Sequence, residues 1–326
     1  MARYTVLMTD CIFPDQQIER SMLNAIGARL QLAPASDEET LIALAPGADA
    51  MIVTYADITA AVIGAAARCR IIARTGIGIN NIDIAAASER GIMVTNVPDY
   101  CIAEVADHTL ALMLTCLRKT AYLSQAVKSG VWDLNFARPI PRLGTLTAGL
   151  LGLGNIARAV AVRMRAFGMA VMAYDPFVAD EVFASLAVRR AQSFEELAEK
   201  ADVLSLHAPL NASTRGIVNA AVFQRMKRSA VLINTSRGPL VNEKDLCDAI
   251  AGGLIAGCGL DVMETDPGDL KSPLLRYDNV VVTPHVAFYS DDSDVELREK
   301  AAGQVIMALT GQRPQYLANR ESMSMQ

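Results

Sequence analysis

The sequence predicts an α/β protein that is divided into two domains. Short apolar segments alternate with longer segments of helical periodicity, which is typical of parallel sheets covered by helices on both faces. A glycine-rich turn, Gly152-Leu-Gly-Asn-Ile-Ala157, lies near the middle of the chain. Roughly 150 residues of α/β pattern precede it, and the 326 residues suffice for two domains. Because such a turn usually opens a nucleotide-binding fold, we expect one nested inside another α/β domain.

The composition excludes several classes of protein. The chain is 52% hydrophobic and 20% charged, with a formal net charge of −5, so it can bury large cores and shows no basic footprint for nucleic acid. We expect no membrane span and no signal peptide. The six cysteines form no CxxC pair and no metal-ligand spacing, which indicates small core residues in a reducing cytoplasm and no metal site. They are Cys11, Cys69, Cys101, Cys116, Cys247 and Cys258.

The first half of the chain contains short apolar segments that we predict to be buried strands, each followed by helical periodicity. These predicted strands are Thr5–Met8, Ala50–Thr54, Arg70–Arg74 and Ile92–Asn96. One long helix is predicted after Pro98, with Gly130 as its stop. Its apolar stripe either packs on its own sheet or also serves a dimer interface. The stripe comprises Ile102, Val105, Ala106, Leu110, Met113, Leu114 and Leu117.

After Pro139 and Pro141 the alternation restarts and predicts a second parallel sheet. The predicted strands are Thr147–Leu151, Ala170–Tyr174, Val203–Leu206, Ala230–Asn234, Ala256–Leu260 and Val280–Thr283. The predicted helices are Ile156–Phe167, Phe194–Ala198, Ala220–Met226, Glu243–Ala251 and Ser293–Leu309.

The glycine turn has the features of a dinucleotide site. Gly152 permits the tight turn, Gly154 lets backbone N–H groups approach a pyrophosphate, and Ala157 is small enough for helix–strand packing. The helix that follows offers its positive N-terminal end to the phosphates. Asp175 ends the next predicted strand, about 20 residues on, where a carboxylate binds ribose hydroxyls and repels a 2′-phosphate. We therefore predict NAD rather than NADP.

Three polar residues come at or beside the carboxyl ends of predicted strands in this second half, where open α/β sheets bind ligands. The Arg237 guanidinium can hold a carboxylate, and the His285 imidazole can exchange a proton with a carbonyl oxygen. A carboxylate such as Asp266 would orient that imidazole and favour its protonated form. Together with a nicotinamide, these residues would reduce a 2-keto acid.

Each of these side chains also has a purely structural interpretation. His285 could make a structural hydrogen bond in its loop, and Arg237 could be a surface arginine. His108, inside the long predicted helix, is expected to be structural. His207, at a strand end, is expected to line the cofactor groove rather than to transfer a proton.

Several spaced motifs occur in an order that resembles the D-isomer-specific 2-hydroxyacid dehydrogenase family over nearly the whole chain. Within the family, the chain is most similar to the branch of phosphoglycerate-dehydrogenase-like enzymes and C-terminal-binding proteins, because of His285-Val-Ala-Phe-Tyr-Ser290 and Val295-Glu-Leu-Arg298. The other matching segments are Arg74-Thr-Gly-Ile-Gly-Ile-Asn-Asn-Ile-Asp83, Asn96-Val-Pro-Asp-Tyr100, Glu104-Val-Ala-Asp-His-Thr-Leu110, the glycine turn, His207-Ala-Pro-Leu210, Asn234-Thr-Ser-Arg-Gly238, Leu260-Asp-Val262 and Pro284-His285.

The resemblance implies roles for individual residues. Arg237 would bind substrate, His285 would be the acid/base and Asp266 its partner. Asp261 would lie near the nicotinamide carboxamide. The implied cofactor-binding residues are Gly152, Gly154, Asn155, Ile156, Asp175, His207, Pro209, Thr235, Ser236, Asp261 and Thr109. The implied substrate-binding residues are Arg74, Gly76, Ile77, Gly78, Tyr55 and Phe288.

The resemblance also implies a Rossmann NAD-binding domain, residues 100–286, inserted into a flavodoxin-like substrate domain formed by residues 1–99 and 287–326. The active cleft would lie between the domains. A homodimer built through the nucleotide domains is implied as well, with the long helix contributing.

Two positions depart from the family pattern. Asp266 stands where the family usually has a glutamate, so either its backbone lies closer to His285, or Glu264 substitutes, or the pair is weaker. We expect Asp266 to keep the role, because it holds the register relative to Pro267. Asn80 often corresponds to an aspartate, and little consequence is expected.

Rival functions remain open at this stage. The chain could be an NAD(H)-sensing binding module of the C-terminal-binding-protein type with little turnover, although Arg237, Asp266 and His285 favour an enzyme. Phosphite and formate dehydrogenases share the fold, but Asp266 disfavours a formate-type site. Glyoxylate, hydroxypyruvate, phosphohydroxypyruvate and branched keto acids are all candidate substrates. Arg138 and Arg142 could reach a phosphate or lie in a solvated loop.

Overall fold

The computed structural model describes residues 2–320, and the chain divides into two compact units. The terminal unit contains the residues up to Cys101 together with those from Ser290 onward, and the central unit is Ile102–Tyr289. The functional domains that the resemblance implies, residues 100–286 and residues 1–99 with 287–326, stay a prediction. In sequence, the central unit interrupts the terminal unit.

The strands and helices follow one another in α/β alternation. The strands are β1 (Tyr4–Met8), β2 (Ala28–Leu32), β3 (Ala50–Val53), β4 (Ile71–Arg74), β5 (Met93–Thr95), β6 (Thr147–Leu151), β7 (Ala170–Tyr174), β8 (Arg189–Arg190), β9 (Val203–Leu206), β10 (Val231–Asn234), β11 (Gly257–Leu260) and β12 (Val280–Val282). The helices are α1 (Gln17–Asn24), α2 (Glu38–Leu44), α3 (Ala60–Ala65), α4 (Ile84–Glu89), α5 (Ile102–Arg118), α6 (Thr120–Lys128), α7 (Asn155–Ala166), α8 (Asp180–Ser185), α9 (Phe194–Lys200), α10 (Ala220–Arg225), α11 (Glu243–Ala251) and α12 (Asp291–Leu309).

The terminal unit is built on a parallel sheet of order β2-β1-β3-β4-β5, the order of flavodoxin-like folds. Successive side chains of each strand point to opposite faces, so the sheet contributes side chains to two separate apolar cores. In β3, Met51 and Val53 pack with α2, α3 and α4, whereas Ala50 and Ile52 pack with α1 and α12. Near-continuous apolar strands are therefore explained by burial on both faces.

The central unit is built on a parallel sheet of order β12-β11-β10-β9-β6-β7-β8. Counted within the unit, this is the 3-2-1-4-5-6 order of dinucleotide-binding folds with one further strand at the edge. The order reverses between β6 and β9, which pair directly. One face packs on α5, α7 and α8, and the other on α9, α10 and α11. The α/β class expected from the sequence is confirmed.

The prediction of one continuous helix after Pro98 is wrong. The chain forms α5 and α6, separated by Lys119 in a left-handed conformation with φ 55°. Gly130 follows the second helix with φ 91°, which explains why the helical pattern stops there. The sequence pattern did not predict β2, α2, α8 or β8.

The six cysteines all lie in the described part of the chain, and none of them forms a disulfide. A cytoplasmic location stays a prediction. Among residues 2–320, none of the helices has the length and apolar character that crossing a membrane requires.

Candidate active site

The glycine turn follows β6 at the point where the strand order of the central sheet reverses. Gly152 has φ 92°, and its N–H donates to the Tyr174 carbonyl at 2.9 Å. A Cβ on Gly152 would lie 2.9 Å from the carbonyl oxygen of His207, which is closer than real Cβ contacts come. The turn therefore requires glycine both for its backbone conformation and for its packing against the residue after β9.

Gly154 is the N-cap residue of α7 and brings no side chain to the first turn of that helix. Within the described chain, a Cβ on Gly154 would meet open space for 4 Å. Ala157, by contrast, is fully buried against the sheet. Because helix N-terminal N–H groups attract anions, an open glycine-capped start at a strand-order reversal fits a pyrophosphate, with Asn155 and Ile156 at the first helical positions.

The Asp175 carboxylate is anchored at the end of β7. Its Oδ2 accepts from the Leu153 N–H at 2.8 Å and its Oδ1 accepts from the Phe177 N–H at 2.9 Å. Arg190 donates to the Asp175 carbonyl oxygen at 3.1 Å and pairs with the Asp180 carboxylate at 2.6 Å. The carboxylate is thus fixed beside the glycine turn by backbone groups.

His207 lies just after β9, behind the glycine turn. Burial lowers the pKa of the His207 imidazole to about 4, so the ring is neutral at pH 7. Its Nε2 lies 2.9 Å from the Ser205 hydroxyl. A neutral, half-buried imidazole suits the wall of a groove. Pro209 follows at the surface, where its carbonyl accepts from the Thr214 hydroxyl at 2.6 Å.

The loop after β10 carries Arg237 and is pinned from several sides. The Asn234 side chain accepts from the Ser236 N–H at 3.0 Å and donates to the Arg237 carbonyl at 2.9 Å. The Ser236 hydroxyl donates to the Ala208 carbonyl at 2.8 Å. Thr109 of α5 lies 2.8 Å from Thr235, hydroxyl to hydroxyl. Asn234 is a buried polar residue at the end of an apolar strand, and no role was predicted for it.

Gly238 sets how closely this loop approaches the loop after β11. A Cβ on Gly238 would lie 1.6 Å from the Met263 carbonyl oxygen. Because no side chain fits there, the Arg237 loop packs directly on the backbone of the segment that leads to Asp266. Arg237 and Asp266 therefore belong to loops in contact.

His285 follows β12 and pairs with Asp266. The imidazole Nδ1 lies 2.5 Å from Asp266 Oδ2, and the side chain is 21% exposed. Phe288 packs edge-on against the imidazole, with ring centroids 6.0 Å apart. Glu264, the alternative partner considered from the sequence, instead accepts from the Glu243 N–H at 3.3 Å.

Asp261 lies at the end of β11 with a buried side chain. Its carboxylate accepts from the Thr283 hydroxyl at 2.6 Å, the Val286 N–H at 3.0 Å and the Ala287 N–H at 2.8 Å. The carboxylate therefore holds the turn that carries His285. The expected contact with a nicotinamide carboxamide stays a prediction.

The terminal unit contains the remaining predicted residues. The Tyr55 N–H donates to Asp10 at 2.6 Å just after β3, and Arg74 ends the neighbouring β4. Gly76 has φ 146°, and a Cβ there would overlap the Arg74 guanidinium. The Ile77 carbonyl accepts from Asn96 at 2.7 Å, and Gly78 follows in the same loop. Tyr55 and the Arg74–Gly78 segment thus lie at the carboxyl ends of adjacent strands.

Known proteins are similar to this chain in sequence. Residues 110–287 match a family model described as D-isomer specific 2-hydroxyacid dehydrogenase, NAD binding domain. The chain is 35% identical over 302 residues to D-3-phosphoglycerate dehydrogenase of Methanocaldococcus jannaschii, covering 92% of this chain and 56% of that protein. The chain therefore spans about half the length of the curated relatives it matches.

Solved structures of similar proteins cover almost the whole chain. A glyoxylate reductase from Paecilomyes thermophila superposes with a TM-score of 0.89 at 27% identity, covering 98% of this chain and 100% of that one. D-lactate dehydrogenase from Aquifex aeolicus, solved with NAD and lactic acid, has a TM-score of 0.86 at 26% identity, covering 98% of both chains.

Proposed function

The chain belongs to the D-isomer specific 2-hydroxyacid dehydrogenase family, and on that premise we propose that it interconverts a small 2-keto acid and the D-2-hydroxy acid with NAD(H). The observation that carries the proposal is the His285–Asp266 pair, beside the Arg237 loop at the carboxyl ends of the central strands. An acid/base, a carboxylate ligand and a dinucleotide site at one sheet edge are the parts this reaction needs.

Each group would perform a separate task. Arg237 would hold the substrate carboxylate through its guanidinium. His285 would donate a proton to the keto oxygen from the imidazole nitrogen that faces away from Asp266. Asp266 would orient the ring through its contact with Nδ1. Bound NADH would supply the hydride. The substrate roles of Arg74, Gly76, Ile77, Gly78, Tyr55 and Phe288 stay predictions.

Asp266→Asn tests the proposed pairing. Asparagine keeps the size but removes the carboxylate that orients the imidazole. We therefore expect kcat for keto-acid reduction to fall roughly tenfold or more. The measurement is kcat and kcat/KM from about pH 5 to 10.

Glu264→Gln is the matched control, because the Glu264 carboxylate accepts from the backbone N–H of Glu243 and not from His285. It should leave both the rate and the profile near wild type. An Asp266→Asn enzyme with an unchanged kcat and an unchanged pH–rate profile would show that the Asp266–His285 pair plays no part in the reaction.

Asp175→Asn tests the cofactor preference for NAD over NADP. Loss of the anchored negative charge removes repulsion of a 2′-phosphate, so the ratio of kcat/KM for NADPH to that for NADH should rise roughly tenfold or more. Asp180→Asn, at an exposed carboxylate paired with Arg190, should leave the ratio unchanged. A wild-type protein that prefers NADPH would overturn this assignment.

The substrate and the rival function are tested together by NADH oxidation with glyoxylate, hydroxypyruvate, phosphohydroxypyruvate and branched keto acids. Turnover of at least one supports the enzyme. Tight NADH binding with no turnover of any would support an NAD(H)-sensing binding module. Arg138 lines a groove at the amino ends of β10 and β11, opposite His285, which argues against a role in binding a substrate phosphate.

We also propose a homodimer built through the central unit. The supporting observation is a groove of about 1150 Å³ lined by α5, α6 and the segment 135–141. Close to it in sequence, Trp132 and Leu134 are 89% and 70% exposed and would add apolar surface to an interface. Light scattering should give twice the chain mass, and a monomer at micromolar concentration would contradict the proposal.

A further inference from the structure

The backbone of His285 adopts a conformation that a histidine rarely takes. Its φ is 53°, in the left-handed region. Such a conformation is strained for a residue with a side chain and persists only where the surroundings enforce it. Whatever enforces it also determines where the imidazole points, because the side chain follows the backbone.

Asp261 supplies that enforcement on both sides of the histidine. Its backbone carbonyl accepts from the His285 N–H at 2.8 Å. Its carboxylate accepts from the N–H groups of the next two residues, Val286 at 3.0 Å and Ala287 at 2.8 Å. The turn is therefore wrapped around one buried aspartate.

A second histidine, His108, lies next to the Asp261 side chain. His108 of α5 places Nε2 at 2.9 Å from the Thr283 hydroxyl oxygen and 3.5 Å from Asp261 Oδ1. The Thr283 hydroxyl donates its only proton to Asp261 Oδ1 at 2.6 Å. Thr283 must then accept from His108, so His108 carries its proton on Nε2. The His108 N–H thus fixes the orientation of the Thr283 hydroxyl, and that hydroxyl fixes the orientation of the Asp261 carboxylate.

We propose that His108 is a positioning residue for the reaction: through Thr283 and Asp261 it holds the turn that sets the direction of the His285 imidazole. The inference rests on the proposed function for the role of His285. The hydrogen-bonded series His108–Thr283–Asp261 would then do more than pack α5 on the sheet. Asp261, the last residue of the series, contacts the backbone on both sides of the His285 Cα.

The test compares matched variants of the full-length protein. His108→Leu removes the donor at similar size, whereas His108→Gln keeps an N–H that reaches Thr283. Thr283→Val removes the hydroxyl, and Thr283→Ser keeps it. Three readouts are needed: kcat with the best keto acid, the NADH dissociation constant, and hydrogen exchange of the Val286 and Ala287 amides.

His108→Leu and Thr283→Val should each lower kcat by about three- to tenfold, the range that one hydrogen bond supports. Exchange of the Val286 and Ala287 amides should quicken, while NADH affinity stays within about twofold. His108→Gln and Thr283→Ser should recover most of both effects. Because the groups act in series, the double variant His108→Leu/Thr283→Val should be no slower than the worse single variant.

Unchanged exchange in His108→Leu would overturn the inference, and so would faster exchange with unchanged kcat, since that describes a purely structural contact. If the wild-type protein reduces no keto acid, the proposed function fails. The exchange comparison still decides whether His108 holds the turn, because it needs no substrate.

Discussion

His285→Gln should lower kcat for keto-acid reduction by about 10²- to 10⁴-fold, the usual contribution of a positioned general acid. Glutamine fills similar space, but it cannot transfer a proton near neutral pH. His285 follows β12, whereas the glycine turn and Asp175 follow β6 and β7. The dissociation constant for NADH should therefore stay within about twofold.

The measurement is steady-state kcat alongside NADH binding followed by fluorescence. Normal binding with a large loss of kcat assigns the loss to chemistry. A His285→Gln variant that keeps kcat within about threefold of wild type would remove the histidine from the reaction.

Arg298→Met should lower the free energy of unfolding of the terminal unit by about 3–5 kcal/mol, because it leaves a buried carboxylate without its cation. Arg298 is 4% exposed and Glu19 1%, and Nε and Nη2 of the arginine lie 2.8 and 2.9 Å from the two oxygens of the glutamate. The hydrogen bonds and the charge of Glu19 raise the pKa of the Arg298 guanidinium above its ordinary value. The pair ties α12 to α1.

Urea denaturation gives the free energy directly. Lys244→Met is the control, since Lys244 and Asp248 form an exposed pair whose loss should change stability little. A double variant, Glu19→Leu/Arg298→Met, should recover part of the loss, because two apolar side chains replace the buried pair and only the more exposed Asp15 and Asp294 lose the arginine. A single variant as stable as wild type would contradict the account.

Much of the fold was predictable because each central strand is a short apolar run flanked by turn residues. In the central unit, β6, β7, β9 and β10 lie within a residue of the predicted segments. The strand missed in the terminal unit, β2, lies at the sheet edge and alternates apolar and polar residues. A polar, half-exposed edge strand carries a weaker apolar signal than a central strand.

The break between α5 and α6 was not predictable. Lys119 takes the left-handed conformation that glycine or asparagine would usually mark, so the sequence there is still that of a helix.

The candidate site was predictable in its residues and less so in its contacts. Arg237, Asp266 and His285 follow predicted strands, and parallel strands bring their carboxyl ends to one edge. The positive φ of His285 depends on contacts between residues far apart in sequence, such as the hydrogen bonds from the Val286 and Ala287 N–H groups to the Asp261 carboxylate. Local patterns carry no signal for such contacts. The same holds for His108, whose partner Thr283 belongs to the opposite end of the central unit in sequence.

The most direct test of the central claim is the product formed by the wild-type protein from hydroxypyruvate or a branched keto acid with NADH. Chiral chromatography should find one D-2-hydroxy acid for each NADH oxidised. An L-configured product, a racemic product, or tight NADH binding without any hydroxy acid would contradict the account.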